Sequence, residues 1–222
     1  MRIEQQGPWL SATFEQPQRC LSWAVHRPGF VVAERVLWRQ VRNEDLHPQL
    51  DAVAWLAAEL QARGDAAAIG LLTSRTVACF ETARARVAGV ECEVLLTLGL
   101  SNAVRAAAPR APAAWQAGTI NLLAQLSQPL SDTALIEAVS IASEARTAAL
   151  LDEPWEGVDG DGPITGTGTD CVVIAAAPGE GERYAGLHTA VGQALAQAVY
   201  AATRRAARRW LDEFAAAFAA RG

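Results

Sequence analysis

The sequence predicts an α/β fold: one layered domain over residues 1–222, with a mixed β-sheet packed by helices and a long C-terminal helix. Three observations carry this. Runs of β-branched and aromatic residues recur between Gly, Pro and Asn punctuation. One stretch alternates and turns back on itself as a hairpin, and long segments carry helical spacing. Strands outnumber helices and hairpins mix with strand–helix–strand runs, so a mixed sheet is expected over an all-parallel one. With 222 residues, 51% hydrophobic and 19% charged, the chain can bury a sizeable core and does not resemble a disordered one.

Each element follows in order. Residues 1–8 read as a polar, acidic segment without the apolar region of a signal peptide. Residues 21–25 read as a short strand ending at Arg27-Pro28-Gly29, and 31–41 as a second strand. Pro48 opens a helix to about Arg63, with Leu50, Val53, Ala54, Ala57 and Leu60 at helical spacing and Gly64 as its stop. Residues 66–72 form a buried strand, and 81–87 with 90–98 a hairpin turning at Ala88-Gly89. A loop bracketed by Pro109 and Pro112 precedes a strand over 119–126. Ser131 or Asp132 caps a helix running to about Leu151. An irregular Gly-, Asp- and Thr-rich stretch over 153–168 leads to a strand over 171–177, a turn at 178–181 and a helix over 187–218.

Composition excludes several chemistries. The net charge is −5, and all 19 basic residues are Arg, so a Schiff-base lysine, a Ser-Lys hydrolase and a Walker lysine are absent. The basic run Arg204-Arg205 and Arg208-Arg209 is answered by Asp212 and Glu213 at i, i+4, an ion-paired face rather than a nucleic-acid footprint. No stretch approaches ~18 uninterrupted apolar residues, so no membrane partner is expected and the address reads as cytoplasmic. Cys20, Cys79, Cys92 and Cys171 show no C-x-x-C pairing and read as buried reduced thiols. His26, His47 and His188 form no zinc pattern, so neither metal nor cofactor is expected. Residues 159–164 fail as a calcium loop, because Pro163 and Ile164 stand where Asp or Asn and Gly belong.

The helix over 131–151 places Leu135, Val139, Ala142, Ala149 and Leu150 on one face with Arg146 among them. A permanent charge there is paired, snorkelled or turned to a ligand. Glu144 lies on a polar stripe, solvated or catalytic. Thr165, Gly166, Thr167, Gly168, Thr169 and Asp170 alternate hydroxyls with glycines, a flexible turn or a loop whose amides approach a ligand. His188 is a capping residue or a general base, and Asn102 and Asn121 close turns or orient a ligand. Neither G-x-S-x-G nor H-E-x-x-H occurs.

Five segments in order resemble a family signature: 118–121 (Gly-Thr-Ile-Asn), 130–135 (Leu-Ser-Asp-Thr-Ala-Leu), 144–150 (Glu-Ala-Arg-Thr-Ala-Ala-Leu), 165–170 (Thr-Gly-Thr-Gly-Thr-Asp) and 184–189 (Tyr-Ala-Gly-Leu-His-Thr). Upstream, Leu21-Ser22-Trp23, Leu72-Thr73-Ser74 and residues 97–103 add weaker blocks. Together they resemble the CbiZ family, the adenosylcobinamide amidohydrolases. The resemblance implies hydrolysis of the amide joining the corrin propionate to aminopropanol, giving adenosylcobyric acid and 1-amino-2-propanol in cobalamin salvage. A non-catalytic corrinoid-binding protein of the same fold is the alternative.

On that reading Glu144, Asp170 or His188 activates water, amides of residues 165–169 stabilise the oxyanion, and Arg146 and Asn121 orient corrin amides. Asn102 and Ser22 complete the substrate-binding set, with Ser22 or a Thr hydroxyl as alternative nucleophile. The partner is adenosylcobinamide or a related corrinoid, and the aromatic end of the last helix leaves a homo-oligomer open. The chain departs from the family pattern at Arg146, where Lys is usual, at Trp23 with His26-Arg27-Pro28, and at Cys171.

Overall fold

The computed structural model describes residues 1–42, 45, 49–107, 118–155 and 162–219, with only the backbone for 217–219. The expected helix start at Pro48, the loop at Pro109–Pro112, the first position of the rejected calcium loop and the Phe218 side chain lie outside the described residues.

β1 (Arg2–Gln6) and β2 (Trp9–Ser22) form an antiparallel hairpin through Gly7, whose φ of 55° suits a two-residue turn. β3 (Gly29–Gln40) returns antiparallel to β2. α1 (Ala52–Arg63) starts where the Asp51 side chain accepts the Val53 and Ala54 N–H groups, and it ends on Gly64 at φ 79°. β4 (Ile69–Thr73) then runs parallel to β3. β5 (Phe80–Val87) and β6 (Val90–Leu98) are the expected hairpin, with positive φ at both Ala88 and Gly89. β7 (Ala103–Val104) pairs with β9 (Gly166–Thr167) as a small separate ribbon. β8 (Ile120–Leu130), α2 (Asp132–Leu151, capped by Ser131), β10 (Cys171–Glu182) and α3 (Ala190–Ala219) complete the fold.

The main sheet runs β4-β3-β2-β10-β8-β6-β5, with β1 also on β2. The β3/β4 and β8/β10 pairs are parallel and the rest antiparallel, so the sheet is mixed, as expected. Side chains alternate between its faces. Leu96, Leu122, Ala124, Val172 and Ile174 meet α2 and α3. Alanines at 134, 138, 142, 194, 198 and 202 keep both helices close to that face.

The opposite face folds over on itself. Leu95, Leu123 and Val173 pack against Leu10, Val36, Trp38, Ile69 and Leu71 from the other half of the sheet. His26 and Gly70 exchange backbone hydrogen bonds at 3.1 Å, so the chain beyond β2 covers the free edge of β4. α1 lies outside this half, its Leu56 and Leu60 against Trp9 and Leu37.

Several expectations need correction. The helix expected from Pro48 with Leu50 on its apolar face begins only at Ala52, after the Asp51 cap. β2 begins at Trp9 rather than Leu21, because an irregularity between Thr13 and Gln18 hides its alternation. It ends at Ser22, since Trp23 reaches Asp170 and His26 turns to β4. No turn breaks β10 at 178–181: these residues bulge between the Ala177–Pro129 and Glu182–Leu130 pairs, with Gly181 so close to the Pro129 carbonyl that any Cβ would collide. α3 begins at Ala190, where the Thr189 hydroxyl accepts the Gly192 N–H at 3.0 Å. Of the two ion pairs expected on α3, Arg209–Glu213 forms at 3.3 Å, whereas Arg208 joins Arg204 on the buried Glu153 carboxylate at 3.0 and 2.8 Å.

Trp210 and Phe214 stack with each other and pack on Trp155 of the same chain. All four cysteines are free. Among the described residues no helix is long and apolar enough to cross a membrane.

Candidate active site

The parallel register aligns Cys171 with Asn121, and the antiparallel one aligns Asn121 with Thr97. The loop over 165–170 folds back on this end of the sheet. Asp170 is its hub. Its carboxylate accepts the Ile120 N–H at 3.0 Å, the Thr167 N–H at 2.9 Å and the Thr167 hydroxyl, and it pairs with Arg146 Nη1 at 3.1 Å. The pair is largely dry, with 8% of the Asp170 side chain and 13% of Arg146 exposed. Arg146 is therefore neither snorkelled nor solvated. Its charge is answered by Asp170 across the edge of the α2 stripe.

Glycines permit the close approach. A Cβ at Gly166 would lie 2.5 Å from Asp170 Oδ2, and one at Gly118 would collide with the Asn102 side chain. Gly168 faces open space. Reciprocal bonds lock the two segments together: the Thr119 hydroxyl donates to the Thr169 carbonyl at 2.8 Å, and the Thr169 hydroxyl to the Gly118 carbonyl at 2.9 Å. Asn121 Nδ2 donates to the Leu72 carbonyl of β4 at 2.6 Å, closing the folded sheet across its inner face.

Beside this network lies a cavity of about 190 Å³ whose walls include Trp23, Leu72, Ser74, Thr119, Asn121, Thr169 and Cys171. Among the described residues, those that line it are uncharged at neutral pH. Burial pushes the Cys171 thiol up to about 12, reinforced by the nearby Asp170 charge and offset in part by a backbone hydrogen bond from Trp23. Cys171 is therefore a protonated, inert wall. Trp23, which the sequence does not single out as a site residue, forms the rim: its indole N–H donates to the Asp170 carbonyl at 2.7 Å.

Of the residues singled out from the sequence, the fold brings together Asn121, Arg146, Thr165, Gly166, Thr167, Gly168, Thr169 and Asp170, with Asn102 against Gly118. Ser22 is buried on β2 opposite Val173, its hydroxyl accepting the Ala24 N–H at 3.4 Å, and is not in the cavity wall.

Glu144 and His188 do not join the cluster. Glu144 is exposed and bonded to Ser140 at 3.2 Å; two residues before Arg146, it points about 200° away around the helix. His188 is exposed beside Gly186, which neighbours Glu137. Glu137 is nine residues, or about 13 Å of helix rise, from Arg146.

Three of the five loop amides are committed. The N–H groups of Thr165, Thr167 and Thr169 bond the Val104 carbonyl, Asp170 and the Thr167 hydroxyl. The hydroxyls of Ser74 and Thr119 were not singled out as site residues, although both stand in segments that carry the resemblance.

The chain matches the family model for CbiZ, adenosylcobinamide amidohydrolase, over residues 1–215. A Halobacterium salinarum protein named adenosylcobinamide amidohydrolase is 34% identical over 140 residues, covering 63% of this chain and 54% of that protein. An uncharacterised protein of Methanocaldococcus jannaschii is 34% identical over 83 residues, covering 37% of this chain and 32% of its own length. The matched stretches thus span about half and a third of these curated relatives. A crystal structure of a Pyrococcus horikoshii protein aligns with 89% of this chain and 76% of its own, at TM-score 0.46 and 10% identity.

Proposed function

Because the chain belongs to the CbiZ family of adenosylcobinamide amidohydrolases, we propose that it hydrolyses the amide between a corrin propionate arm and aminopropanol. The products are adenosylcobyric acid and 1-amino-2-propanol, and the reaction belongs to cytoplasmic corrinoid salvage.

The carrying observation is the cavity itself: small, and lined among the described residues by hydroxyls, a carboxamide and no charged side chain. A neutral amide arm enters such a site without leaving a charge unpaired. Water adds to the amide carbon, the C–N bond breaks, and the proton released by the water goes to the departing nitrogen. Ser74 holds the attacking water. Thr119 and Thr169 use their protons to hold the loop, whereas Ser74 Oγ donates to no group among the described residues.

Of Glu144, Asp170 and His188, Asp170 comes nearest this cavity, by its backbone carbonyl, which accepts the indole N–H of the lining residue Trp23. Its four donors make it a positioning residue: it fixes Arg146, Thr167 and the start of β8.

Mass-resolved chromatography after incubation with adenosylcobinamide tests the reaction. A product with the mass of adenosylcobyric acid supports it. The uncharged lining also favours a second reading, corrinoid binding without turnover, for which the substrate mass stays unchanged while the melting temperature rises.

A further inference from the structure

We propose that the indole of Trp23 is the platform on which the corrin macrocycle rests while its amide arm occupies the cavity, an inference that rests on the corrinoid reading above. A cavity of about 190 Å³ is smaller than the roughly 300–1,000 Å³ pockets that enclose drug-sized ligands. That is room for a propionyl-aminopropanol arm and not for a tetrapyrrole-sized ring. The bulk of any such substrate therefore stays at the mouth, against whatever forms the rim.

Trp23 forms that rim. It lines the cavity, yet 48% of its surface is open to solvent. Among the described residues it is the one exposed tryptophan: Trp9, Trp38 and Trp210 are buried and Trp55 and Trp155 half-buried. An indole left half in water is a large apolar surface not covered by the described residues.

Its orientation is nonetheless fixed. The Nε1–H bond to the Asp170 carbonyl ties the ring to the same loop that Arg146 and Thr167 hold. Val25 and Val41 continue the apolar wall beside it. A conjugated cobalt(III) corrin, cationic as the alkyl complex and open on the face away from its alkyl ligand, matches both properties of an indole face: apolar area and a negative quadrupole. A preorganised ring loses little conformational entropy on binding, which favours a platform over a flexible contact.

Equilibrium dialysis of adenosylcobinamide against wild type, Trp23→Phe and Trp23→Ala separates this proposal from the reaction it rests on. Binding weakens about tenfold in Trp23→Ala, the loss typical of one stacking aromatic, and by less in Trp23→Phe, which keeps an aromatic face. The arm alone, N-(2-hydroxypropyl)propanamide, binds wild type and both variants equally. In turnover the change appears in KM far more than in kcat.

Trp23→Ala binding as tight as wild type overturns the platform, even where hydrolysis proceeds. So does an equal loss for the arm alone, which would make Trp23 a cavity wall only. Trp23-dependent binding without product would sustain the platform and overturn the amidohydrolase reading.

Discussion

At the amino-terminal ends of β8 and β10 one nearly buried carboxylate, Asp170, gathers three hydrogen bonds and an ion pair, whereas at the carboxyl-terminal ends the half-buried Glu137 carboxylate holds a single backbone N–H. The first end holds Asp170 with four donors, Arg146, and the crossed Thr119 and Thr169 hydroxyl bonds. The second holds the β10 bulge, the single bond from the Ala185 N–H to Glu137, and the exposed Tyr184, Leu187 and His188. The difference separates residues that look alike in a list of candidates. A buried network fixes geometry and leaves a shaped cavity next to it. His188 is exposed, and among the described residues no hydrogen bond orients its ring.

The comparison breaks most severely at Asp170. In Asp170→Asn a buried guanidinium loses its counter-charge, and unfolding by urea registers a loss of about 3 kcal/mol. Glu137→Gln at the other end costs about 1 kcal/mol or less, one hydrogen bond to a backbone N–H. Equal losses would erase the distinction between the ends.

Within the loop, Gly166→Ala forces a Cβ against Asp170 and costs about 2 kcal/mol with loss of activity. Gly168→Ala, facing open space, stays within about 0.5 kcal/mol. Thermal unfolding of the two variants side by side measures this. His188→Ala changes turnover and stability by less than about twofold and 0.5 kcal/mol.

The smallest signal is chemical. Burial pushes the thiols of Cys20 and Cys171 up to about 12, so both remain protonated and unalkylated in native protein at pH 8. Mass spectrometry after iodoacetamide shows whether either is modified; rapid alkylation of Cys171 would contradict a closed inner face.

Much of the fold is legible in the sequence because local chemistry decides it. Ala88-Gly89 supplies the two positive φ values of a tight hairpin, Gly64 the left-handed stop of α1, and Ser131 the cap of α2. The illegible parts depend on partners distant in the chain. β2 is interrupted between Thr13 and Gln18, so no short window shows its period. The bulge of β10 looks like a turn because Pro178 and its glycines carry the same signal in both settings.

At the site the same rule holds. The Gly-Thr repeat and Asp170 are visible as a polar cluster, but the ion pair with Arg146 requires the packing of α2 on the sheet. Glu144 is two residues from Arg146 in sequence and on the other side of its helix. Trp23 becomes a rim only because the sheet folds over and brings β4 to Asn121.

Turnover of adenosylcobinamide by Asp170→Asn and His188→Ala, each verified as folded at the assay temperature, is the most direct test of the claim that the working site lies at the amino-terminal ends of β8 and β10. The account predicts that His188→Ala forms the cobyric acid product at the wild-type rate while Asp170→Asn falls by at least about a hundredfold, the scale of a displaced reacting group. A His188→Ala enzyme without product beside an active Asp170→Asn would place the chemistry at the opposite end and contradict it.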